Sequence, residues 1–475
     1  MHQAEEVYSS LRGRFHGDLL LPSDGAYESL RGIWNGMFDR RPGLIARCAD
    51  ANDVQSAIRA ASKAGLLTAV RCGGHSLAGF STCDGGLVLD LSRLRQVSVD
   101  AEARRARFEG GCLLGSIDTA TQEAGLVFPS GVVSHTGAGG LVLGGGTGWL
   151  TRRFGLSCDN VEAFTLVAAD GSLIRADAVN NPDLFWALRG GGGNFGVVTE
   201  FCVKLHPLRS LVLAEGLCLE PGIRQHLQFW REFMAEAPLD LKWNIDLRLA
   251  RDSEEVPTAL RGRPVASNSL VWTGDPAVGQ TYLQRALSFC EDDSLRVRII
   301  PFLTLQTMAD ADFPHGRRYY TKSGYFRQLD DSTIESMIEA ITTVPSPQTQ
   351  IELAYLGGAA AKVNARETAF GDRSAHFILN LLANWAEPAE DAAQISWIRG
   401  LFAKLRPAMK PGVYVNFMSG DEQERVPEAY QERWERMLAV KSHYDPSNFF
   451  RMNQNVQPSS FTKGSDRGKT AAKEA

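Results

Sequence analysis

Short apolar runs, bounded by glycine or polar residues, recur through the first part of this chain. Three of them have the length and apolar character of buried strands: residues 44–48, 66–70 and 86–91. Residues 106–109 continue the pattern of strands and turns. Residues 113–124 have helical character instead, and Gly125 follows them in the position typical of a residue just past a helix end. This alternation predicts an α+β domain.

A helix is predicted between the first two strands. Val54, Ile58 and Ala61 recur at helical spacing and therefore share one apolar face. The pair Asn52-Asp53 is suited to cap the first turn, and Gly65 ends the segment.

The middle of the chain, from about residue 211 to residue 410, lacks clusters of glycine. Strand-like runs at residues 351–356 and 377–381 alternate there with helical runs such as residues 334–342. The pattern predicts a second region of mixed strands and helices.

Past residue 410 the pattern becomes more distinct. Residues 412–417 alternate as a strand that places Tyr414 and Asn416 on one face. Residues 428–440 are predicted to be helical, with an apolar stripe formed by Tyr430, Trp434, Met437 and Leu438.

Composition narrows the class of protein. The 475 residues suffice for two or three domains, and a hydrophobic content of 44% is ordinary for a globular protein. A net charge of −5 without a basic cluster argues against a nucleic-acid partner. No apolar run approaches the length of a membrane span, and the N-terminus lacks the features of a signal peptide. Eight scattered cysteines suit reduced thiols, so a cytoplasmic location is expected.

The first chemical motif follows the second predicted strand and reads Arg71-Cys72-Gly73-Gly74-His75-Ser76-Leu77-Ala78-Gly79. Adjacent glycines let the backbone turn tightly and group its N–H donors into a concavity that binds anions such as phosphate. The loop joins strand to strand, whereas a Rossmann fingerprint joins strand to helix. We therefore predict a cofactor loop of another kind.

Two further glycine-rich stretches follow at residues 129–150 and 185–199. The first interleaves its glycines with apolar residues, which flexible linkers do not do. The second contains Gly-x-Gly-x-x-Gly at Gly191, Gly193 and Gly196. A helical segment precedes it and a strand follows, which is the reverse of the order that binds NAD. The first stretch is expected to lie flat against a ligand.

The last motif, at residues 444–456, reads Tyr-Asp-Pro-Ser-Asn-Phe-Phe-Arg-Met-Asn-Gln-Asn-Val. Together and in this order, the four motifs resemble those of the FAD-linked oxidases related to vanillyl-alcohol oxidase, p-cresol methylhydroxylase and berberine bridge enzyme. The resemblance covers nearly all of residues 40–210 and 410–458.

This resemblance implies an α+β fold with two domains and a divided chain. An FAD-binding domain of the p-cresol methylhydroxylase type is expected at residues 38–208, completed by a C-terminal segment at residues 411–458. Residues 209–410 are expected to form an inserted substrate domain, an antiparallel sheet flanked by helices. The tail, residues 459–475, is charged and rich in small residues, so it is predicted to be disordered.

The resemblance also implies that His75 is bonded covalently to the 8α-methyl group of the flavin. Some related enzymes add a second bond through a cysteine at the position of Val133, so here we expect one bond only. That pattern is closest to bacterial enzymes similar to 6-hydroxy-D-nicotine oxidase. The residues expected to bind FAD are His75, Arg71, Cys72, Gly73, Gly74, Ser76, Gly79, Gly137, Gly139, Gly140, Gly144, Gly145, Gly148, Asn194, Gly196, Val197, Asn453 and Asn455.

No metal is predicted. Cys72, His75 and Cys83 are candidate ligands by residue type, but their spacing matches no standard zinc pattern and a fourth ligand is not evident.

A base must remove the substrate's proton, and the chain offers several candidates. Tyr414 is the first, since some relatives use a tyrosine in a Tyr-x-Asn motif, although an aromatic residue on a strand often serves packing. Glu352 is the second candidate, because it is a lone carboxylate on an otherwise apolar strand. The alternative is that Glu352 is a solvent-facing strand residue without a catalytic role. The third candidates are His135 and Thr136, which lie beside the glycines. They are expected either to bind substrate, oxygen or flavin, or only to hold the loop.

The resemblance implies an oxidase of a small organic or secondary-metabolite molecule, with O2 as electron acceptor. No membrane or nucleic-acid partner is expected, and the protein is expected to be a monomer or homodimer. A second hypothesis rests on the glycine-rich core and residues 31–36, which are similar to flavoenzymes that tailor bacterial polyketides, such as the enterocin favorskiiase. Those enzymes oxygenate or rearrange their substrates. A third hypothesis is a non-catalytic flavin- or nucleotide-binding module.

Overall fold

The computed structural model describes residues 2–460, and within them the chain forms four β-sheets. Its strands are β1 Asp18–Leu20, β2 Leu44–Arg47, β3 Thr68–Arg71, β4 Leu87–Asp90, β5 Val97–Asp100, β6 Arg105–Glu109, β7 Leu126–Val127, β8 Val161–Val167, β9 Leu173–Asp177, β10 Val197–Lys204, β11 His206–Pro207, β12 Ser210–Leu219, β13 Leu241–Leu249, β14 Pro264–Trp272, β15 Arg296–Pro301, β16 Arg318–Phe326, β17 Gln350–Tyr355 and β18 Phe377–Trp385. Of the predicted disordered tail, residues 461–475 lie outside the described residues.

Helices occur both between strands and at the C-terminal end. They are α1 His2–Leu11, α2 Tyr27–Arg31, α3 Ala51–Ala64, α4 Leu114–Glu123, α5 Ala138–Leu143, α6 Thr151–Phe154, α7 Pro182–Leu188, α8 Gly222–Glu236, α9 Pro276–Ala286, α10 Phe302–Thr307, α11 Asp331–Ile341, α12 Gly358–Lys362, α13 Asp391–Leu405, α14 Val426–Tyr430 and α15 Trp434–Tyr444. No helix among residues 2–460 is both long and apolar enough to cross a bilayer.

The first sheet has the order β1-β2-β4-β3, in which β2, β4 and β3 are parallel. Two parallel strands need a crossover connection, which is usually a helix. Here the crossover between β3 and β4 is the glycine-rich loop at residues 72–86, which forms no helix. The loop containing His75 therefore begins at the carboxyl end of a parallel strand.

Helix α3 confirms the predicted helix but corrects its cap. Asp50 caps it, because its side chain accepts hydrogen bonds from the Asn52 and Asp53 N–H groups. Asp53 instead accepts from the backbone of His16 and Gly17 and ties the N-terminal segment to the helix.

A second sheet of five antiparallel strands, in the order β5-β6-β10-β8-β9, supports the other glycine-rich stretches. Strand β10 begins directly after the stretch that ends at Gly196, and helix α7 precedes that stretch. This order of helix, loop and strand agrees with the sequence prediction.

The third large sheet has seven antiparallel strands in the order β15-β12-β14-β13-β17-β18-β16. Alternate residues of β13, among them Trp243 and Ile245, are fully buried against helices α8 and α11. Intervening residues such as Asp246 point to the opposite face. The predicted substrate region is thus built on an antiparallel sheet whose second face carries polar side chains. The predicted domain limits, at residues 208 and 410, stay a prediction.

The C-terminal region corrects two sequence predictions. Residues 412–417 form no strand, since Val415–Phe417 is a 3-10 turn. The predicted helix at residues 428–440 is two helices, because Gln431 has a positive φ of 49° that interrupts the α-helical path. Tyr430 and Met437 are nonetheless fully buried, as the predicted apolar stripe requires.

Candidate active site

A cavity of about 380 Å³ lies between the glycine-rich loops and the polar face of the seven-stranded sheet. Many residues that the sequence analysis assigned to cofactor or catalysis line it. They are Cys72, Gly73, Gly74, His75, Ser76, Thr136, Gly137, Gly139, Gly140, Asn194, Gly196, Val197, Glu352, Tyr414 and Asn453. Four separate motifs therefore meet at one cavity.

Other predicted residues do not lie on the cavity wall. These are Arg71, Gly79, His135, Gly144, Gly145, Gly148 and Asn455. Arg71 donates to the buried Asp90 carboxylate at 2.7 Å. A Cβ atom at Gly148 would lie 1.9 Å from the Ser130 carbonyl oxygen, so packing alone accounts for that glycine.

His75 sits in a stack of rings on the cavity wall. The Trp34 ring lies 4.4 Å from the His75 ring, and Tyr319 stacks on the other side of Trp34 at 3.7 Å. Ring nitrogens of His75, His135 and His315 approach within 4.8 Å of one another. Burial, together with the two neighbouring imidazoles, holds the pKa of His75 well below its usual value. The ring is therefore neutral near pH 7 and keeps a lone pair.

Several features of the wall fit an extended cofactor such as FAD. A Cβ atom added at Gly140 or at Gly193 would meet no other atom within 4 Å, so both glycines leave bare backbone facing the cavity. The Asn453 Oδ1 atom is buried on the wall without a hydrogen-bond partner among the described residues. Buried polar atoms are normally paired, so this oxygen is suited to meet a donor on a bound ligand.

A hydrogen-bond network joins the C-terminal segment to the glycine-rich stretch before β10. The Asn194 Oδ1 atom accepts from the Val456 N–H at 2.9 Å. The Lys441 ammonium donates to the Asn194 carbonyl oxygen at 2.9 Å and to the Asp445 carboxylate at 2.6 Å. Asn453 donates to the Gly193 carbonyl oxygen. This part of the cavity is therefore assembled from segments about 260 residues apart in sequence.

Tyr414 is buried at the wall, with its hydroxyl oxygen accepting two hydrogen bonds. The Gly146 N–H donates at 3.0 Å and the Asn416 side-chain amide at 2.9 Å. Burial nevertheless raises the pKa of Tyr414 to about 12. The phenol is therefore protonated near neutral pH, and its assignment as the base stays a prediction.

Glu352 faces the cavity from β17, on the opposite side of that strand from the buried Ile351 and Leu353. Burial, with the Asp246 carboxylate on the neighbouring strand, raises the pKa of Glu352 to about 7. The Asn380 side-chain amide donates to Glu352 Oε2 at 3.2 Å and orients it.

Part of the cavity wall was not predicted from the sequence. Phe313, Asn380 and Leu382 line the cavity, as do Trp34 and Asn416. Asn380 carried a usable signal, since it is a polar residue within a predicted apolar strand. Phe313 carried none, because it lies in a loop whose position depends on the surrounding sheet.

Comparisons with known proteins agree with this geometry. A family model described as an FAD binding domain matches residues 42–177, and a model described as berberine and berberine like matches residues 413–457. A FAD-linked oxidoreductase of Dictyostelium discoideum is 30% identical over 428 residues, which is 90% of this chain and 91% of that protein.

Two further similar proteins are 6-hydroxynicotine oxidases. The (R)-6-hydroxynicotine oxidase of Paenarthrobacter nicotinovorans is 30% identical over 465 residues, covering 93% of this chain and 97% of that enzyme. The crystal structure of 6-hydroxy-D-nicotine oxidase from Arthrobacter nicotinovorans matches with a TM-score of 0.82 at 28% identity, covering 93% of this chain and 98% of that one.

These matches confirm the fold class and the resemblance read from the four motifs. They also show that the chain is an enzyme, because it matches named oxidoreductases over nearly the whole length of those proteins. The chain belongs to the family of FAD-linked oxidoreductases that includes the berberine-like enzymes and 6-hydroxynicotine oxidase.

Proposed function

We propose that this enzyme is an oxidase that removes a hydride from a carbon bearing OH or NH in a small organic substrate and passes the electrons to O2, forming hydrogen peroxide. The observation that carries the proposal is the placement of His75, Glu352 and Tyr414 on the wall of one cavity. A predicted anchor for flavin and two proton-handling groups thus face the same space.

We propose that His75 bonds covalently to FAD. Its neutral ring carries the lone pair that such a bond needs, and its stacking on Trp34 fixes the plane of the ring. Val133 stands where a second, cysteinyl bond forms in some relatives, and Cys158 is fully buried and does not line the cavity. One bond is therefore expected.

The remaining contacts to FAD are assigned to backbone and amide groups. Gly140 and Gly193 have open space where a side chain would stand, so a flat ligand can approach their backbone closely. Asn453 offers a side-chain oxygen without a hydrogen-bond partner among the described residues. When bound, FAD supplies the acceptor for the hydride.

Glu352 is our proposed base. With a pKa of about 7, its carboxylate is substantially ionised at neutral pH and accepts the proton of the substrate's O–H or N–H group as the hydride leaves. Asn380 holds that carboxylate toward the cavity. Tyr414, protonated, donates a hydrogen bond into the cavity and so orients the substrate.

Two neighbours of the glycine-rich stretch complete the proposed site. Thr136 lines the cavity and is available to contact FAD or substrate. His135 contacts His75 at 2.7 Å and lies off the cavity wall, so we assign it to holding the His75 ring.

The proposal is tested on the purified protein by an absorption spectrum before and after acid denaturation, followed by a screen of alcohols and amines for peroxide release. Yellow colour that stays with the precipitated protein, together with peroxide formed in proportion to product, supports it. A colourless protein contradicts the cofactor assignment. Oxygen-18 from O2 appearing in the product would support the alternative of an oxygenating enzyme, because an oxidase sends that label only to peroxide.

A further inference from the structure

Two cysteines that the proposed reaction does not use meet within the seven-stranded sheet region. The eight cysteines of the chain all lie among the described residues and all carry free thiols. The sulfur atoms of Cys218 and Cys290 are 2.7 Å apart, although the residues are separated by 72 positions. Cys218 is fully buried on β12, and Cys290 is half-buried in the loop between α9 and β15.

The local backbone holds this loop against β12. The Glu291 N–H donates to the Leu217 carbonyl oxygen at 2.9 Å, and the Leu217 N–H donates to the Ser294 hydroxyl at 2.9 Å. These bonds continue the edge of β12 beyond the point where its pairing with β15 ends, at Glu215. These hydrogen bonds therefore hold the backbone of the loop beside β12 and keep the two sulfur atoms close together.

Small and polar neighbours make room for the pair. A Cβ atom at Gly216 would lie 3.0 Å from the Cys290 Cβ, so the glycine lets Cys290 lie directly on the strand. The Asn268 side-chain amide, on β14, lies 3.5 Å from each sulfur and donates to the carbonyl oxygens of Gly216 and Ala266 at 3.2 Å and 3.1 Å.

We propose that Cys218 and Cys290 are a site of reversible oxidation, at which hydrogen peroxide converts the two thiols into a disulfide that fastens the α9–β15 loop to β12. In the first step, the Cys290 thiol is oxidised to a sulfenic acid as one peroxide oxygen is transferred and one water is released. In the second step, the Cys218 sulfur attacks the Cys290 sulfur, the S–O bond breaks and a second water leaves. Two thiols and one peroxide thus give one disulfide and two waters.

The order of the two steps follows from exposure. Peroxide reaches the half-buried Cys290 before the enclosed Cys218. The hydrogen bond with Cys290 and burial also raise the pKa of the Cys218 thiol well above its usual value, so this thiol stays protonated until its neighbour has reacted. Peroxide added to the protein is sufficient to form this disulfide. Only the further step, in which peroxide made by the enzyme itself oxidises the pair, rests on the proposed function.

A metal site is the competing use of these residues, because His226 also lies within 4.8 Å of both sulfurs. The His226 Nε2 atom is 2.7 Å from Asn268 Oδ1, whereas Nδ1 is buried without a hydrogen-bond partner among the described residues. A structural zinc site takes four protein ligands, and this group offers three. The disulfide needs only the two sulfurs, which are already 2.7 Å apart, and for that reason we favour it.

The test uses the full-length holoprotein, reduced with a phosphine and then treated with equimolar hydrogen peroxide. Free thiols are alkylated in denaturant, and peptides are mapped by mass spectrometry. We expect a peptide joining Cys218 to Cys290, restored to two alkylated peptides by reduction, and a rise in Tm of the oxidised protein by about 5 °C. Cys290→Ser should lose both effects, whereas Cys202→Ser, which alters a cysteine on β10, should keep them.

Two results would overturn the proposal. One is full alkylation of both cysteines after peroxide treatment of the wild-type protein, a readout that does not depend on any variant folding. The other is stoichiometric zinc or copper in the purified protein that protects both thiols from peroxide, which would identify a metal site instead.

Discussion

The His75 Nε2 atom lies 2.7 Å from the His135 Nδ1 atom, so the two imidazoles share one hydrogen bond at the edge of the cavity. Because His75 is neutral, only one of these two nitrogens carries the proton between them. His135 is thereby the hydrogen-bond partner of the His75 ring, whereas Trp34 is its stacking partner. The contact joins two glycine-rich stretches that are 60 residues apart in sequence.

The first prediction concerns the covalent bond to flavin. The His75→Ala variant is expected to bind FAD without a covalent bond, so acid denaturation should release all of the yellow colour into the supernatant. His315→Ala is the matched control, since its ring touches the His75 ring edge-on at 5.8 Å without being the proposed anchor. Colour that stays with precipitated His75→Ala protein would assign the bond to another residue.

The second prediction concerns the base. Glu352→Gln keeps the size of the side chain and its contact with Asn380 but removes the proton acceptor. With a substrate that reduces the wild-type flavin, we expect the anaerobic rate of flavin reduction to fall about 10²- to 10⁴-fold. Glu162→Gln, which alters a surface glutamate paired with Arg105, should leave the rate unchanged. Equal rates in the two variants would rule out Glu352 as the base.

The third prediction is the pH dependence of that rate. A base acts in its ionised form, and the pKa of Glu352 is raised to about 7. The rate of flavin reduction should therefore be constant above about pH 8 and fall about tenfold per unit below about pH 6. This acidic limb should be absent from Glu352→Gln; its persistence there would assign it to a different group.

The fourth prediction uses two neighbours of opposite charge. The Asp246 carboxylate raises the pKa of Glu352, whereas the Lys242 ammonium lowers it. Asp246→Asn should therefore move the midpoint of the pH profile to lower pH, and Lys242→Met should move it to higher pH. Shifts of the same sign in both variants would show that general disturbance of the sheet, rather than charge, sets the pKa.

The fifth prediction concerns the buried pair that joins the C-terminal segment to the cofactor loops. Both Lys441 and Asp445 have fully buried side chains 2.6 Å apart. Lys441→Met leaves Asp445 as an unpaired buried charge, so the free energy of unfolding should fall by about 3–5 kcal/mol in urea titrations. Lys404→Met, at an exposed pair with Glu339, should cost less than about 1 kcal/mol. Equal losses would contradict the role assigned to burial.

The elements near the cofactor loops were predictable because their signals are local. The strands that flank the His75 loop follow from the length and apolar character of their runs, and the helix with Val54, Ile58 and Ala61 on one face follows from periodicity. The strand predicted at residues 412–417 failed for the opposite reason. Alternation over six residues is also compatible with an irregular segment whose side chains are held by tertiary contacts, as Tyr414 is held by Gly146.

The sequence by itself determined the glycine-rich loops that form the cavity wall, because glycine spacing is a local property of the chain, and the resemblance of those motifs to a known family implied the cofactor. Only the tertiary structure gives the two candidate bases their different surroundings. The pKa of Tyr414 is raised to about 12 and that of Glu352 to about 7 by burial and by neighbours on other strands. Burial and long-range electrostatics depend on which segments meet in space, and spacing along the chain does not encode them.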